Sequence, residues 1–268
     1  MFDSVFNLSK YLSVINRDDG KRFTITDRLD AIKRKLSSTD YKTVYEYGLF
    51  SLYSKKPLSQ INDPLVVIST HIDCEKGITQ CFSKEYNEEC IIGTYDNSIT
   101  NTAILYHMLH SDMPDNVVIA FTGDEEVSCK GAAELSSFLN PYDVSVIIVL
   151  DVTYCGWETK AEFTVENNFW NDRIKNTVIE EIKNCDNRWK FVPSSLDEIP
   201  SELSPENVIY EEAMEDESWT YDEMDLNCFS FCIPVEGEMH SDRGVQIRKR
   251  SLSVYTQTLL NLILALSK

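Results

Sequence analysis

Five short segments of this chain each place an acidic residue or a histidine at the end of an apolar run. They are His71-Ile72-Asp73, Asp96-Asn97, Glu125-Glu126, Asp151 and Glu238-Met239-His240. Together they supply two histidines and several carboxylates, the ligand mixture that borderline and hard divalent metal ions prefer. These acids and histidines can form one site only if the fold brings the five segments together. This arrangement therefore constrains the fold more than any other feature of the sequence.

The alternation of apolar runs and helical patterns predicts an α/β fold. Near-continuous apolar runs, typical of strands that are buried on both faces, occupy residues 64–73, 116–123, 144–151 and 226–235. Residues 49–56 and 162–167 read as further strands, and 80–93 as a hairpin or strand pair. Helical spacing predicts helices over 26–38, 99–110, 129–140, 169–184 and 251–266. We expect a mixed, mostly parallel central sheet with helices on both faces.

The five segments lie on both sides of any possible domain boundary, so we expect one domain over residues 1–268. Residues 186–225 form an acidic excursion, after which a predicted strand resumes at 226. Within it, residues 197–225 hold twelve acids and no lysine or arginine. Such a run is usually a solvated surface. The alternative is that these acids surround the entrance of a site and attract cationic substrates or metal ions.

The formal net charge of −19 argues against nucleic acid and anionic membranes as partners. No apolar run reaches the ~18 residues that a membrane span needs. The N-terminal residues do not form a basic region followed by an apolar one, as a signal peptide would. The eight cysteines show no C-x-x-C spacing, so we expect free thiols and a cytoplasmic location.

Ligands in open α/β sheets bind beyond the carboxyl ends of the strands. His71, Glu125-Glu126 and Asp151 each follow or end a predicted buried strand, so we expect them at one edge of the sheet. His240 comes a few residues after the last predicted strand. Each segment alone also has an ordinary explanation as a surface pair, a polar loop or a helix cap.

Five blocks of this sequence resemble the signature blocks of the cocatalytic zinc aminopeptidases, which belong to the clan of dinuclear zinc exopeptidases. They are STHIDCE (69–75), GTYDNSITNTAIL (93–105), FTGDEEVSCKGAAEL (121–135), IVLDV (148–152) and GEMHS (237–241). The blocks occur in the family's order, the identity within each is partial, and the resemblance covers roughly residues 60–265.

The resemblance implies a metal-binding role for five residues. His71 and Asp151 would bind one ion, Glu126 and His240 the other, and Asp96 would bridge both. The cofactors would be two divalent metal ions, Zn²⁺ first, with Mn²⁺ or Co²⁺ able to use the same ligands.

The resemblance also implies two catalytic roles and a reaction. Glu125 would be the general base, and Asp73 would orient the ring of His71. The expected function is removal of N-terminal amino acids from a peptide or aminoacyl substrate by a water between the metals. An N-acyl amino-acid deacylase, a cyclising acyltransferase and a catalytically silent binding protein on the same fold remain alternatives. The oligomeric state stays open.

The chain departs from the family pattern in two turns. After Asp96-Asn97, whose peptide bond is often cis in the family, a small residue and a glycine are usual, whereas Ser98-Ile99-Thr100 stands here. After Glu125-Glu126 the family often has a glycine near the third position, which Val127-Ser128-Cys129 replaces. Only residues 72–95 and 127–150 separate successive ligands, so we expect no inserted lid or dimerisation domain.

Overall fold

The computed structural model describes residues 1–13, 25–185 and 188–268, which form a large and a small β-sheet. The large sheet has the strand order β1-β2-β6-β3-β7-β10-β8-β9. Its strands are β1 (Lys42–Tyr47), β2 (Phe50–Ser54), β3 (Leu65–His71), β6 (Val117–Thr122), β7 (Val144–Thr153), β8 (Phe163–Phe169), β9 (Trp189–Val192) and β10 (Cys228–Pro234). The small sheet has the order β11-β12-β5-β4. It contains β4 (Ser83–Glu85), β5 (Cys90–Gly93), β11 (Glu236–Glu238) and β12 (Gly244–Arg248).

The centre of the large sheet is parallel. Strand β3 pairs in parallel with both β6 and β7, and β7 pairs in parallel with β10. The strands β1, β2 and β8 are joined to their inner neighbours in antiparallel fashion. The carboxyl ends of β6, β3, β7 and β10 therefore meet at one edge, as the expected mixed, mostly parallel sheet requires.

Helices cover both faces of this sheet, as the sequence predicts. They are α1 (Phe2–Leu12), α2 (Ile25–Leu36), α3 (Ser98–His110), α4 (Lys130–Leu139), α5 (Asp172–Lys183), α6 (Glu217–Asp222) and α7 (Lys249–Leu266). Alternate residues of β7 enter two different apolar cores: Ile148 and Leu150 face one, Ile147 and Val149 the other. The first core includes α1, α2, α3, α5 and α7, and the second includes α4. Burial on both faces explains why these strands read as continuous apolar runs.

The structure contains each strand and helix that the apolar patterns predict, with small shifts at the ends. The segment 80–93 contains the antiparallel pair β4–β5. The elements α1, β1, β9, α6 and the β11–β12 pair were not predicted. None of the described helices is both long and apolar enough to cross a membrane. All eight cysteines are free thiols.

The acidic segment 197–225 packs along the large sheet beyond β9 and then forms α6. The backbone amides of Ile209 and Ala213 donate to the carbonyls of Phe191 and Pro193. In α6 the side chain of Tyr221 is fully buried, and its hydroxyl lies 2.7 Å from Ser69 Oγ on β3. The segment therefore reaches from the edge of the large sheet to its centre.

Candidate metal centre

The edge formed by the parallel strands brings together the first group of predicted ligands. His71 is the last residue of β3, Asp151 lies two residues before the end of β7, and Glu125 follows β6 in a short 3-10 turn. His71 Nε2 lies 3.7 Å from Asp151 Oδ1 and 4.0 Å from Glu125 Oε2. Because β3 lies between β6 and β7, its terminal histidine faces groups from both neighbours.

The small sheet supplies the second group. Asp96 follows β5, and His240 lies in the turn between β11 and β12. Strands β5 and β12 pair, with Gly93 opposite Val245, so their connections meet. His240 Nε2 lies 3.2 Å from Asp96 Oδ2 and 3.5 Å from Glu126 Oε2. The two sheets thus contribute complementary halves of one cluster.

Asp96 lies between the two histidines. Its Oδ1 is 3.1 Å from His71 Nε2, whereas its Oδ2 is 3.2 Å from His240 Nε2. Each oxygen of the same carboxylate therefore faces a different histidine. Ligand atoms of His71, Asp96 and Glu126 all lie within 4.8 Å of one another.

Two asparagines connect the turn that contains Asp96 to the large sheet through hydrogen bonds. The peptide bond between Asp96 and Asn97 is cis. Asn97 Nδ2 donates to the carbonyl of Leu150 on β7 (2.6 Å), and Asn101 Nδ2 donates to that of His71 on β3 (2.7 Å). The residues that depart from the family pattern here, 98–100, form the buried first turn of α3. Asn101 was not singled out in the sequence.

Asp73 joins His71 to the loop that carries the two glutamates. Its Oδ1 lies 3.3 Å from His71 Nδ1, and its Oδ2 accepts a hydrogen bond from the backbone amide of Glu126 (3.3 Å). A carboxylate on the second ring nitrogen fixes the orientation of a histidine ring. Asp73 is therefore placed to orient one candidate ligand and to hold the segment of another.

The glutamate loop is closed at its base by backbone contacts. Gly131 N donates to Gly123 O (2.9 Å), and Gly123 N donates to Leu49 O (2.8 Å). A Cβ atom on Gly131 would lie 2.5 Å from Gly123 O, so this close approach requires glycine. Within the loop, Ser128 adopts φ 85°, a left-handed conformation that favours glycine. The sequence departure at 127–129 thus places a serine where the backbone suits glycine.

The cluster brings buried and half-buried carboxylates close together. Burial raises the pKa of Glu125 to about 9, that of Glu126 to about 8 and that of Asp151 to about 6. Burial acts in the same sense on Asp96, but hydrogen bonds from His240 and His71 outweigh it and lower the pKa of that carboxyl group. Among the described residues, Glu126 Oε1 is buried without a hydrogen-bond partner. Divalent cations would relieve this concentration of negative charge.

The cluster opens into a cavity of about 250 Å³. Beyond the candidate ligands, acidic and apolar groups line it, including Glu166, Met214, Asp216 and Met239. No lysine or arginine contributes to this lining in the described part of the chain. Glu166 is buried and accepts a hydrogen bond from the hydroxyl group of Thr164. Burial raises the pKa of Glu166 to about 7.

The acidic segment 197–225 divides into two parts. Ten of its twelve acids are exposed, whereas Asp216 is half-buried at the cavity and Glu217 is buried. Glu217 Oε2 accepts a hydrogen bond from Ser69 Oγ (2.9 Å), and burial raises the pKa of Glu217 to about 7. The surface interpretation therefore suits most of the segment, but Asp216 and the exposed Glu215 line the cavity, and Glu217 is buried against β3. The density of acids was the only sequence signal for them.

Comparison with known proteins identifies the fold. No family model matches this chain, and no curated protein sequence matches it. An aminopeptidase from the archaeon Desulfurococcus kamchatkensis superposes with a TM-score of 0.72 at 11% identity, over 98% of this chain and 95% of that one. A TET aminopeptidase from a marine sediment thaumarchaeote gives 0.70 at 12% identity, over 99% and 97% of the two chains. A tripeptidase from Staphylococcus aureus gives 0.63 at 12% identity, over 100% and 99%.

At such identities the likeness establishes the architecture. The chain has the fold of these peptidases along nearly its whole length and theirs. The chemistry has to be argued from the residues of the site itself.

Proposed function

We propose that this chain is a metal-dependent aminopeptidase in which residues 1–268 act as one catalytic unit. The observation that carries the proposal is the position of Asp96, whose two carboxylate oxygens face His71 and His240 separately. Asp151 adjoins the first histidine and Glu126 the second. This gives two adjacent groups of ligands that share one carboxylate, the donor arrangement suited to a pair of divalent ions.

The residues present fit two metal ions. His71, Asp151 and Asp96 would hold one ion, and Glu126, His240 and Asp96 the other. Imidazole and carboxylate donors suit Zn²⁺ foremost and also Mn²⁺ or Co²⁺. The unpartnered Glu126 Oε1 and the raised pKa of Glu126 both indicate a group that lacks a cation. Bound divalent ions would supply Lewis acidity, which lowers the pKa of water and polarises a carbonyl group.

Glu125 is the residue we assign to proton transfer. Its Oε2 lies 4.0 Å from His71 Nε2, beside the ligand groups, and its Oε1 is 3.8 Å from Cys129 Sγ. From this position it would take a proton from the water that attacks a peptide carbonyl and return it to the leaving amine. Asp73 would keep the ring of His71 in one orientation during the reaction.

The charge of the cavity supports a substrate with a free amino terminus. Glu166 and Asp216 line the cavity and make hydrogen bonds to hydroxyl groups, and neither forms an ion pair within the described residues. An α-ammonium group would supply the missing positive charge. An N-acyl amino acid carries a carboxylate and no ammonium group, so this lining supports the aminopeptidase over the deacylase.

The proposal is tested by reconstituting the purified protein with Zn²⁺, Mn²⁺ or Co²⁺ and measuring bound metal together with hydrolysis of matched substrates. We expect two equivalents of metal per chain, and cleavage of free aminoacyl anilides but not of their N-acetylated forms. Fewer than two equivalents with every metal would contradict the two-ion arrangement. Preferential cleavage of the acetylated forms would favour the deacylase, and two bound ions without turnover of either would favour the silent binding protein.

A further inference from the structure

A buried arginine lies against two cysteine sulfurs close to the candidate metal centre. Arg28, on α2, is fully buried, and its Nη1 donates to the carbonyl of Ile72 (2.7 Å). Its Nη2 lies 3.3 Å from Cys74 Sγ and 3.9 Å from Cys81 Sγ. The two sulfur atoms are 3.8 Å apart. The guanidinium group and the two thiols thus form one contiguous cluster.

The positive charge of Arg28 in this cluster requires a counter-ion. A guanidinium group stays protonated, and a buried charge without a counter-ion is costly. Within the described residues, no carboxylate oxygen lies within ion-pair distance of Arg28, and its Nε has no hydrogen-bond partner. The groups that contact its charged end are a carbonyl oxygen and the two sulfurs. A thiolate on one of these sulfurs would therefore be the counter-ion in direct contact with the guanidinium group, with the Asp73 carboxylate acting from farther away.

The two thiols differ in their surroundings. Cys74 is buried, whereas Cys81 is partly exposed. The hydrogen bond from Cys74 and the positive charge of Arg28 lower the pKa of Cys81 to about 6. The hydrogen bond to Cys81 and burial raise the pKa of Cys74. The guanidinium group lies beside both sulfurs and favours a negative charge on the pair, and Cys81 is the sulfur that solvent reaches.

We propose that Cys81 and Cys74 form a redox-modification site that reacts with small disulfides. The Cys81 thiolate attacks one sulfur of a disulfide RSSR, which forms a mixed disulfide and releases RS⁻. Cys74 then loses its proton to solvent and attacks Cys81 Sγ, which forms the Cys74–Cys81 bond and releases a second RS⁻. Two protein thiols are oxidised and one RSSR is reduced to two thiols, so electrons and atoms balance.

The position of the pair connects this modification to the candidate metal centre. Cys74 directly follows Asp73, which contacts His71. Cys81 directly follows Thr79 and Gln80. The backbone amides of these two residues donate hydrogen bonds to the side chain of Asp242, which lies two residues after His240. Forming the bond draws the sulfurs from 3.8 Å to about 2.05 Å and removes the negative charge beside Arg28. The proposed reaction needs only these two thiols and Arg28, whatever reaction takes place at the candidate metal centre.

The first test compares alkylation rates within the reduced, folded wild-type protein. Limiting iodoacetamide at neutral pH, followed by peptide mapping, should label Cys81 at least about tenfold faster than Cys155. Cys155 is the internal control because it is also partly exposed, while burial raises its pKa to about 11. Arg28→Gln should slow labelling of Cys81, and Arg34→Gln, at an exposed site on the same helix, should not. Equal rates at Cys81 and Cys155 would overturn the inference, whether or not the Arg28 variant folds.

The second test uses glutathione disulfide as the oxidant. The wild-type protein should lose two hydrogen atoms and yield a cross-linked peptide that contains both Cys74 and Cys81. Cys74→Ser should stop at a glutathionyl adduct on Cys81, whereas Cys81→Ser should leave Cys74 unmodified under the same conditions. A wild-type protein that keeps both thiols free, or accumulates the adduct without the cross-link, would contradict the proposed site.

Discussion

The two halves of the candidate metal centre differ in how firmly the fold holds them. The inner position consists of His71 and Asp151 with Asp96, and the outer position consists of Glu126 and His240 with Asp96. The side chain of His71 is 2% exposed, whereas that of His240 is 55% exposed. The inner histidine ends a buried parallel strand, and the outer one lies in a turn after the exposed strand β11.

The support behind the two histidines differs in the same way. Asp73 contacts Nδ1 of His71, and the backbone carbonyl of His71 accepts a hydrogen bond from Asn101. Among the described residues, the ring nitrogens of His240 form ion pairs only with Asp96 and Glu126, which are themselves candidate ligands. A preorganised site binds its ligand at a smaller cost in ordering. We therefore expect the inner position to bind metal more tightly than the outer one.

Removing the proposed shared ligand should have the largest effect. Asp96→Ala should reduce bound metal below two equivalents and lower kcat/KM more than about 10³-fold, since several kcal/mol of charge stabilisation depend on the metals. Metal analysis and steady-state kinetics measure both quantities. Asp115→Ala, at an exposed site, is the control and should change neither. Two tightly bound equivalents in the Asp96 variant would show that this carboxylate does not bridge.

Replacing the proposed general base, Glu125, should have the second largest effect. Glu125→Gln keeps the size of the side chain and should lower kcat by about 10²–10⁴-fold while bound metal stays unchanged. Glu223→Gln, at an exposed position of the acidic segment, should retain the wild-type rate. A Glu125 variant with full activity would remove this residue from the mechanism, and one that loses metal would make it a ligand.

The histidines test the comparison of the two positions directly. His240→Ala should lose one equivalent of metal and keep the other, because the inner ligands remain. His71→Ala should lose its inner ion and bind the remaining one more weakly, since the buried cluster then lacks its central group. Titration with a chelator and calorimetry distinguish the two cases. Equal metal loss in both variants would show that the positions do not differ.

Replacing Asp73, the proposed orienting carboxylate, should have a smaller effect. Asp73→Asn preserves the shape of the side chain but removes its charge, so metal affinity at the inner position should fall about 10–100-fold. Metal affinity at the outer position should change less, because Asp73 contacts the outer group only through a hydrogen bond from the backbone amide of Glu126. Competition with a fluorescent chelator resolves the two affinities. An equal fall at both positions would indicate a general loss of structure.

The smallest effect concerns the backbone of the glutamate loop. Ser128→Gly should stabilise the protein by about 1 kcal/mol, because Ser128 occupies a left-handed conformation that costs a non-glycine residue about this much. Ser137→Gly, at an exposed site within α4, should instead destabilise it by roughly 0.5–1 kcal/mol. Thermal unfolding of the two variants provides the comparison. Destabilisation by Ser128→Gly would mean that the serine side chain stabilises the loop.

The sequence predicts the inner position more clearly than the outer one. The runs before His71 and Asp151 are apolar because both faces of β3 and β7 are buried, so the strands, their direction and the positions of the two candidate ligands could be predicted together. Asp96 and His240 depend on the pairing of β5 with β12, which are far apart along the chain. Periodicity does not reveal such a pairing. The sequence pattern singled out these two residues, but only the family resemblance assigned their roles.

Other features depend on contacts that no local pattern records. The twelve acids of the segment 197–225 look alike in sequence, and only folding sends Glu217 inward to Ser69. Arg28 lies in an ordinary amphipathic helix, yet the packing of α2 buries it against Cys74 and Cys81. Edge strands such as β1 and β9 are short and carry polar residues, so their apolar signal is weak.

The closed base of the glutamate loop has a consequence for how this scaffold can diversify. Main-chain atoms of Gly123 and Gly131 make the closure, so the hydrogen bond between them does not depend on the side chains of residues 124–129. We therefore expect these six residues, which include a candidate base and a candidate ligand, to accept new side chains more readily than the two glycines do. A new reaction on this scaffold would then require new side chains in one loop, and the surrounding sheet would keep its sequence.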